Sequence, residues 1–239
     1  MKKLFLFILA TITSCSVLLA QKTINDPNAE KRNVTGFHGV HVSTGIRLIL
    51  TEGSTEEVAV SASKAEYRDK IITEVKNGIL KIYYENKFGS INKRKEKKDL
   101  KAYVSYKSLD NLNANTGAEV QIEGILKSSS LKMAANTGAI IKGAIDINDL
   151  KVDQNTGSIV TLTGEAGKIE VDGDTGSMFK GIDLKTDNCS ATASTGAGVY
   201  ITVSKELNAK ADTGGYVKYK GDAGIRELKT HTGGSISKI

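Results

Sequence analysis

"LNANTGAEVQIEG", residues 112–124, decides how this chain is read, because its central Thr-Gly pair returns at near-even intervals. The pair recurs in "AANTGAIIKG", "QNTGSIVTLTG", "GDTGSMFKG", "STGAGVYIT", "ADTGGYVKYKG" and "HTGGSISKI". Its threonines stand at 116, 137, 156, 175, 195, 213 and 232, so the spacing stays between 18 and 21 residues. A period near twenty residues marks a solenoid. Each unit opens at an apolar position (Leu112, Leu131, Leu150, Ile169, Leu207, Leu228) and runs through small residues to Thr-Gly. It then alternates, as in "AEVQIEG", and reaches a second turn, often at Gly124, Gly143, Gly164, Gly181 or Gly221. Two glycine-marked corners per unit leave segments too short for helical repeats and right for strands.

A parallel β-helix accounts for this pattern. Coils stacked about 4.8 Å apart bring equivalent residues into ladders along the axis. Gly117, Gly138, Gly157, Gly176, Gly196, Gly214 and Gly233 supply the corners, where a positive φ needs a residue without a Cβ. Threonine, being β-branched, suits a strand end whose hydroxyl reaches the next coil. Asn115, Asn136 and Asn155, each just before a threonine, suggest an amide ladder. Val120 and Ile122 are expected to face the core.

Working towards the N-terminus, residues 37–106 alternate with period two, through Val40-Val42, Ile46-Leu48-Leu50, Val58-Val60-Ala62 and Leu80-Ile82-Tyr84. Asn77-Gly78 fits a two-residue hairpin turn. "ASKAEYRDKI" suggests one short helix capped near Ser63. The expected organisation is a signal peptide at 1–20, a polar leader at 21–35 and one domain at 36–239. Within that domain, 36–108 forms capping strands and hairpins and 109–239 forms about seven coils of roughly 19 residues.

The first twenty residues read as an export signal: Lys2 and Lys3, then an apolar run from Leu4 that Thr11, Thr13, Ser14 and Ser16 interrupt. Two processing modes fit, cleavage near Ala20 or lipidation of Cys15 in the lipobox-like "ITSC". Either takes the protein out of the cytoplasm. Cys189 is then the one remaining cysteine, so no internal disulfide is expected, and its place in "TDNCSATAS" reads as an inward strand position.

Without Lys2 and Lys3 the 33 basic residues fall to 31 against 27 acidic, a net charge of +4. Residues 86–101, "NKFGSINKRKEKKDLK", hold seven basic and two acidic residues and so account for the whole excess. The rest is near neutral, which argues against a nucleic-acid surface. This segment has two readings: a solvated hairpin loop whose like charges discourage edge pairing, or a patch (Lys87, Lys93, Arg94, Lys95, Lys97, Lys98) for anionic ligands.

The repeat itself offers little chemistry. Ser194, Asp212 and His231 sit at successive corners, but coil order puts the aspartate between the other two, whereas a nucleophilic triad needs the histidine there. Asp172, Asp174, Asp183 and Asp187 lack the spaced-loop pattern that gathers oxygens around calcium. Polysaccharide cleavage needs paired carboxylates and, usually, aromatic platforms, and the chain has no Trp. No cofactor or metal is expected.

"FHGVHVSTGIRLILTEG", "IITEVKNGILKIYYEN" and the serial "NTGA", "NTGS" and "STGAG" coils, behind an exported N-terminus, together resemble the head GIN domain family of auto-transporter adhesins over about residues 34–239. The resemblance implies an all-β, right-handed parallel β-helix-like solenoid with an N-terminal strand-rich cap, displayed at a bacterial envelope, with no catalytic residues to carry over. The basic insertion at 86–99 departs from the family's pattern. The expected function is a non-catalytic, adhesin-like binding protein, exported to the periplasm, outer membrane or cell surface. Its expected partners are envelope or host glycans or anionic surface polymers, with no nucleic acid and no transmembrane helix in the mature chain. The alternatives are an envelope polysaccharide-active enzyme or a structural spacer.

Overall fold

The computed structural model describes residues 26–85 and 96–239. Five long strands carry the repeat: β9 (Glu119–Ala135), β10 (Ile140–Gln154), β11 (Ile159–Gly173), β12 (Met178–Ala193) and β13 (Gly198–Ala211). Each pairs in parallel with the next, and a Thr-Gly corner separates each from its successor. Strands of 14–17 residues close a coil only by bending, as at Gly124 (φ +77°) and Gly164 (φ +100°). The chain is thus an all-β solenoid of about seven turns over 111–238, with mixed strands at its N-terminal side.

Stacking in register turns the alternating sequence into columns. Ala102, Leu48, Val120, Ile141, Val160, Phe179, Val199 and Val217 lie one above another and are all buried, and so are Leu131, Leu150, Ile169, Cys189 and Leu207. Val120 and Ile122 face this core as expected. Leu112 and Leu228, read from spacing as equivalents of Leu131, instead stack in the neighbouring column with Met133 and Ala209. They lie four residues before their threonine, whereas Leu131 lies six before Thr137, and register follows the corner rather than the apolar residue.

The corner differs from the expectation for threonine. Thr116 through Thr232 are not at strand ends: all seven have φ between +39° and +51°, and the following glycines lie between +67° and +77°. Two consecutive left-handed residues, closed by a bond such as Ala118 N–H to Asn115 O (3.1 Å), form a type I′ turn. This geometry turns the Thr-Gly peptide along the solenoid axis. Gly117 N–H donates to Thr137 O (3.0 Å), Gly138 N–H to Thr156 O (2.9 Å), and so on to Gly214 and Thr232 (3.1 Å). The residue before threonine braces its own turn: Asn115 Oδ1 accepts from Thr116 N–H (2.7 Å) and Oγ1 (3.2 Å), and Asp174 and Asp212 accept the next N–H at 2.7 Å. These local bonds stand where an axial amide ladder was expected, because a left-handed threonine presents its N–H to the preceding side chain.

An eighth corner, Thr44-Gly45 (φ +63° and +70°), joins the column through Gly45 N–H to Thr116 O (3.0 Å). It links β2 (Gly39–Val42) to β3 (Arg47–Glu52), which run parallel to β8 (Asn111–Ala114) and β9. Beyond them β6 (Ile79–Tyr84) lies parallel to β2, and β7 (Lys101–Tyr106) parallel to β3. Antiparallel strands close this end: β5 (Ile71–Lys76) on β6 through the Asn77-Gly78 turn, β4 (Glu57–Ser61) on β7, and β1 (Glu30–Arg32) on β4. The single helical turn α1 (Ala65–Arg68) starts after Lys64 without a side-chain cap. Ser63, expected to cap it, donates its hydroxyl to Lys97 O (3.0 Å) instead.

Inside the corners Ala114, Ala135, Gln154, Gly173, Ala193 and Ala211 stack, all of them small except Gln154. Gln154, the one long side chain of this column, is buried, and its Nε2 donates to Met178 O (3.1 Å).

A left-handed conformation costs a β-branched residue about 1–2 kcal/mol, while asparagine tolerates it. Thr156→Asn should therefore raise the chain's stability by about 0.5–1 kcal/mol, and Gly157→Val should lower it by more than that, measured as shifts in the urea unfolding midpoint.

Candidate functional site

The strand pairing places the two ends of the basic segment. β6 and β7 form the outermost parallel coil, and the end of β6 at Tyr84 and the start of β7 at Lys101 correspond to the strand ends that a Thr-Gly turn joins in every later coil. Ser43 N–H donates to Ile82 O (3.0 Å), the same bond that Asn115 N–H makes to Val42 O one coil on, so this corner lies in line with the Thr-Gly column.

Lys87, Lys93, Arg94, Lys95 and Cys15 lie outside the described residues. The described end of the segment is fastened to α1. Ser63 N–H donates to Lys98 O (2.8 Å), and Glu96 Oε2 accepts from Lys64 Nζ (2.7 Å) and from Tyr67 OH (2.9 Å). The Glu96 carboxylate raises the affinity of both donors for their protons. Lys98 Nζ sits 4.3 Å from the centre of the Tyr84 ring and 6.0 Å from that of Tyr67, a cation–π arrangement, whereas Lys97 is exposed. The two described patch residues therefore divide: Lys98 anchors the base of the segment and Lys97 faces solvent. Nearby, the Lys101 ammonium holds Asp99 (2.9 Å) below the usual carboxylate range.

The seven corner glycines are turn-formers. At six of them, Gly117 through Gly214, an added Cβ would meet nothing within 4 Å, so their positive φ, not crowding, selects glycine. Ser194, Asp212 and His231 follow one another along the corner column, and Asp212 Oδ1 is taken up by the N–H and Oγ1 of Thr213 (2.7 and 3.2 Å). Asp174 is held below its ordinary pKa first by the Thr195 hydroxyl of the next coil, then by the Thr175 N–H. Among the described residues no group of three or more His, Cys, Asp or Glu is placed to hold a metal ion.

A shallow cleft of about 470 Å³, not anticipated from the residues, lies on the coil sides, bordered by Asp146, Glu165, Lys185, Asp187, Thr202 and Ser204. It forms where the pairing of β12 with β13 slips between Gly181 and Lys185 and again between Thr186 and Asn188. The 20-residue step from Thr175 to Thr195, followed by one of 18, is the trace of that slip in the repeat. Its charges pair with one another, Lys205 with Asp187 at 2.9 Å and Lys185 with Glu165 at 3.7 Å.

Cys189 fills a leucine position in a core column, 5% exposed, and burial pushes its thiol up to about 12. A thiolate nucleophile is not available from it. Because the unfolded thiol ionises near 9 while the folded one keeps its proton to about 12, unfolding is increasingly favoured as pH rises through that window. Burial shifts Tyr103 in the same direction, to about 12, and adds to the effect. The native protein at pH 8 should react with a thiol-specific reagent only at its unfolding rate, and its thermal midpoint should fall between pH 9 and 12 less steeply in Cys189→Ala, read by labelling kinetics and calorimetry.

Comparison with known proteins agrees with this architecture. No curated protein is matched by the chain. Solved structures with a similar fold include a "putative adhesin" from Bacteroides fragilis NCTC 9343 (TM-score 0.76, 17% identity, covering 88% of this chain and 96% of that one). A "putative adhesin" from Parabacteroides merdae ATCC 43184 follows at TM-score 0.63 and 16% identity, covering 88% and 95%. A "putative lipid binding protein" from Parabacteroides distasonis ATCC 8503 has TM-score 0.64 and 17% identity, covering 90% and 98%. At these identities the likeness is one of fold. Residues 36–223 match the family described as "Putative auto-transporter adhesin, head GIN domain", and the chain belongs to that family.

Proposed function

We propose that this protein is an exported, non-catalytic binding protein of the bacterial envelope, adhesin-like in role, and that the basic segment at the outermost coil is its contact for anionic ligands. The observation that carries this reading is the substitution of one corner. Where the other coils spend two left-handed residues on a turn, this one spends the chain from 85 to 100, with its far end fastened to α1 through Glu96, Lys97 and Lys98. A stacked β scaffold tolerates long corner insertions because strand register is fixed on either side, and inserted loops are where repeat proteins place binding residues.

Concentrating the charge excess in one insertion at one end of a near-neutral solenoid favours polyanions that meet the protein end-on: acidic envelope or host glycans, or phosphate-bearing surface polymers. The lipid-binding description of the Parabacteroides distasonis structure supports including anionic envelope lipids in that class. Family membership supports the envelope location, with 1–20 as the export signal. The domain reading of 36–239, with 36–108 as the capping part and 109–239 as the coils, assigns ligand contact to the cap and reach to the coils.

The test is retention on immobilised lipopolysaccharide or an acidic polysaccharide. Replacing Lys87, Lys93, Arg94, Lys95 and Lys97 by serine, while leaving the anchoring Lys98, should weaken retention about tenfold or more and flatten its dependence on salt. Unchanged affinity with unchanged salt dependence would remove the segment from the function, and release of reducing ends from the polysaccharide would reassign the protein as an enzyme. N-terminal analysis of exported protein should find Gln21 first; lipidated Cys15 would identify a lipoprotein instead.

A further inference from the structure

The two ends of the solenoid are finished differently. At the N-terminal end antiparallel strands cover the last parallel coil. At the other end, β15 (Gly224–Thr230) pairs only with β13, and β16 (Ser235–Lys238) only with β14 (Tyr216–Lys220), so each offers a free backbone edge among the described residues. The core columns also run out there. Ile225 stacks on buried Leu207 and Leu228 on buried Ala209, yet they are 45% and 43% exposed, and Ile239 is 53% exposed. A parallel stack that stops in this state presents unpaired N–H and C=O groups beside apolar side chains, which repeat proteins ordinarily cover.

We propose that this edge is a self-association surface, on which β15 of a second copy pairs antiparallel about a two-fold axis through Leu228, joining two solenoids end to end. The sequence of β15 is self-complementary in that register. The register shift at Leu207/Asn208 leaves Arg226 out of the strand register, its guanidinium paired with Glu206 of β13, and turns both Ile225 and Leu228 towards the interior, so the Glu227-Leu228-Lys229 stretch that follows alternates regularly. A two-fold axis at Leu228 sets Leu228 against its own equivalent, Glu227 against Lys229 of the other copy, and Lys229 against Glu227 of the other copy. Directly opposed residues of an antiparallel pair lie on one face about 4.5–5.5 Å apart, within reach of an ion pair, and opposite charges there are favourable. The arrangement is isologous, so it closes at two copies.

Charge on the rest of the coil agrees. Residues 222–239 carry Arg226, Lys229 and Lys238 against Asp222 and Glu227, so two copies meet with little repulsion, whereas the basic segment is at the far end. Within one copy Glu227 already pairs with Lys229 at 2.5 Å, and Lys238 with Asp222 at 3.2 Å, so the two-fold contact exchanges partners between copies without stranding a charge.

Sedimentation velocity on the full chain from about 1 to 200 µM tests this, with circular dichroism confirming that each variant is folded. The expected result is a reversible dimer that Leu228→Asp abolishes. Glu227→Lys and Lys229→Glu should each raise the dimer dissociation constant about tenfold, because each puts like charges opposite at both symmetry-related contacts, and the double variant should return it to within about threefold of the parent. A monomer throughout the range would overturn the proposal and leave the edge to another partner or to a further segment. A dimer that survives Leu228→Asp, or a charge swap that fails to restore association, would overturn it too.

Discussion

The structure depends on one oriented peptide group per coil. In each Thr-Gly corner the amide joining the two residues lies along the solenoid axis, donating from glycine to the threonine carbonyl of the next coil, and these bonds run from Thr44-Gly45 to Thr232-Gly233. Here the residues on both sides of that amide are left-handed, the combination of a type I′ turn. Glycine at the second position follows directly. Threonine at the first is a cost, offset by the Asn or Asp before it and by a bond that is aligned, and so polarised, with those above and below.

Once the corners are locked together, the rest of the coil follows with little further instruction. A fixed corner fixes strand register, and register places every second residue inside, so Val, Ile, Leu and Phe stack into columns without long-range matching. Variation is absorbed away from the corner. The extra residues of β12 are taken up by slips on the coil side. The same tolerance admits 16 residues between β6 and β7, and the strands on either side of them, β6 with β2 and β7 with β3, keep their parallel register. In our reading, ligand contact at one end and self-association at the other both draw on a scaffold whose middle is occupied by stability alone.

Much of this was legible in the residues. The period, the parallel solenoid, the Asn77-Gly78 hairpin and the inward positions of Val120, Ile122 and Cys189 are local or periodic properties, and periodicity is written directly into a sequence. The conformation of the corner threonines was not. β-Branched residues ordinarily mark extended chain, and the inter-coil bond, with the brace from the preceding Asn or Asp, reverses that preference. The membership of Thr44-Gly45 in the corner column was equally hidden: 72 residues separate it from Thr116, although "STGI" carries the same pair. The basic segment was visible as composition, but its standing as a substituted corner depends on β6 and β7 being parallel neighbours of β2 and β3, which no local pattern states.

By itself, then, the sequence determined that the chain coils with a period near twenty residues, that glycine turns each corner, and that the charge excess is held in one segment, because these are properties of residues and their spacing. Tertiary structure decided the register at Leu112 and Leu228, the left-handed threonines, the pairing of β6 and β7 as the outermost coil and, among the described residues, the contrast between antiparallel strands at one end and unpaired strand edges at the other. Each of these is a relation between coils. Its free energy comes from hydrogen bonds and contacts that exist only when one turn of the chain rests on another.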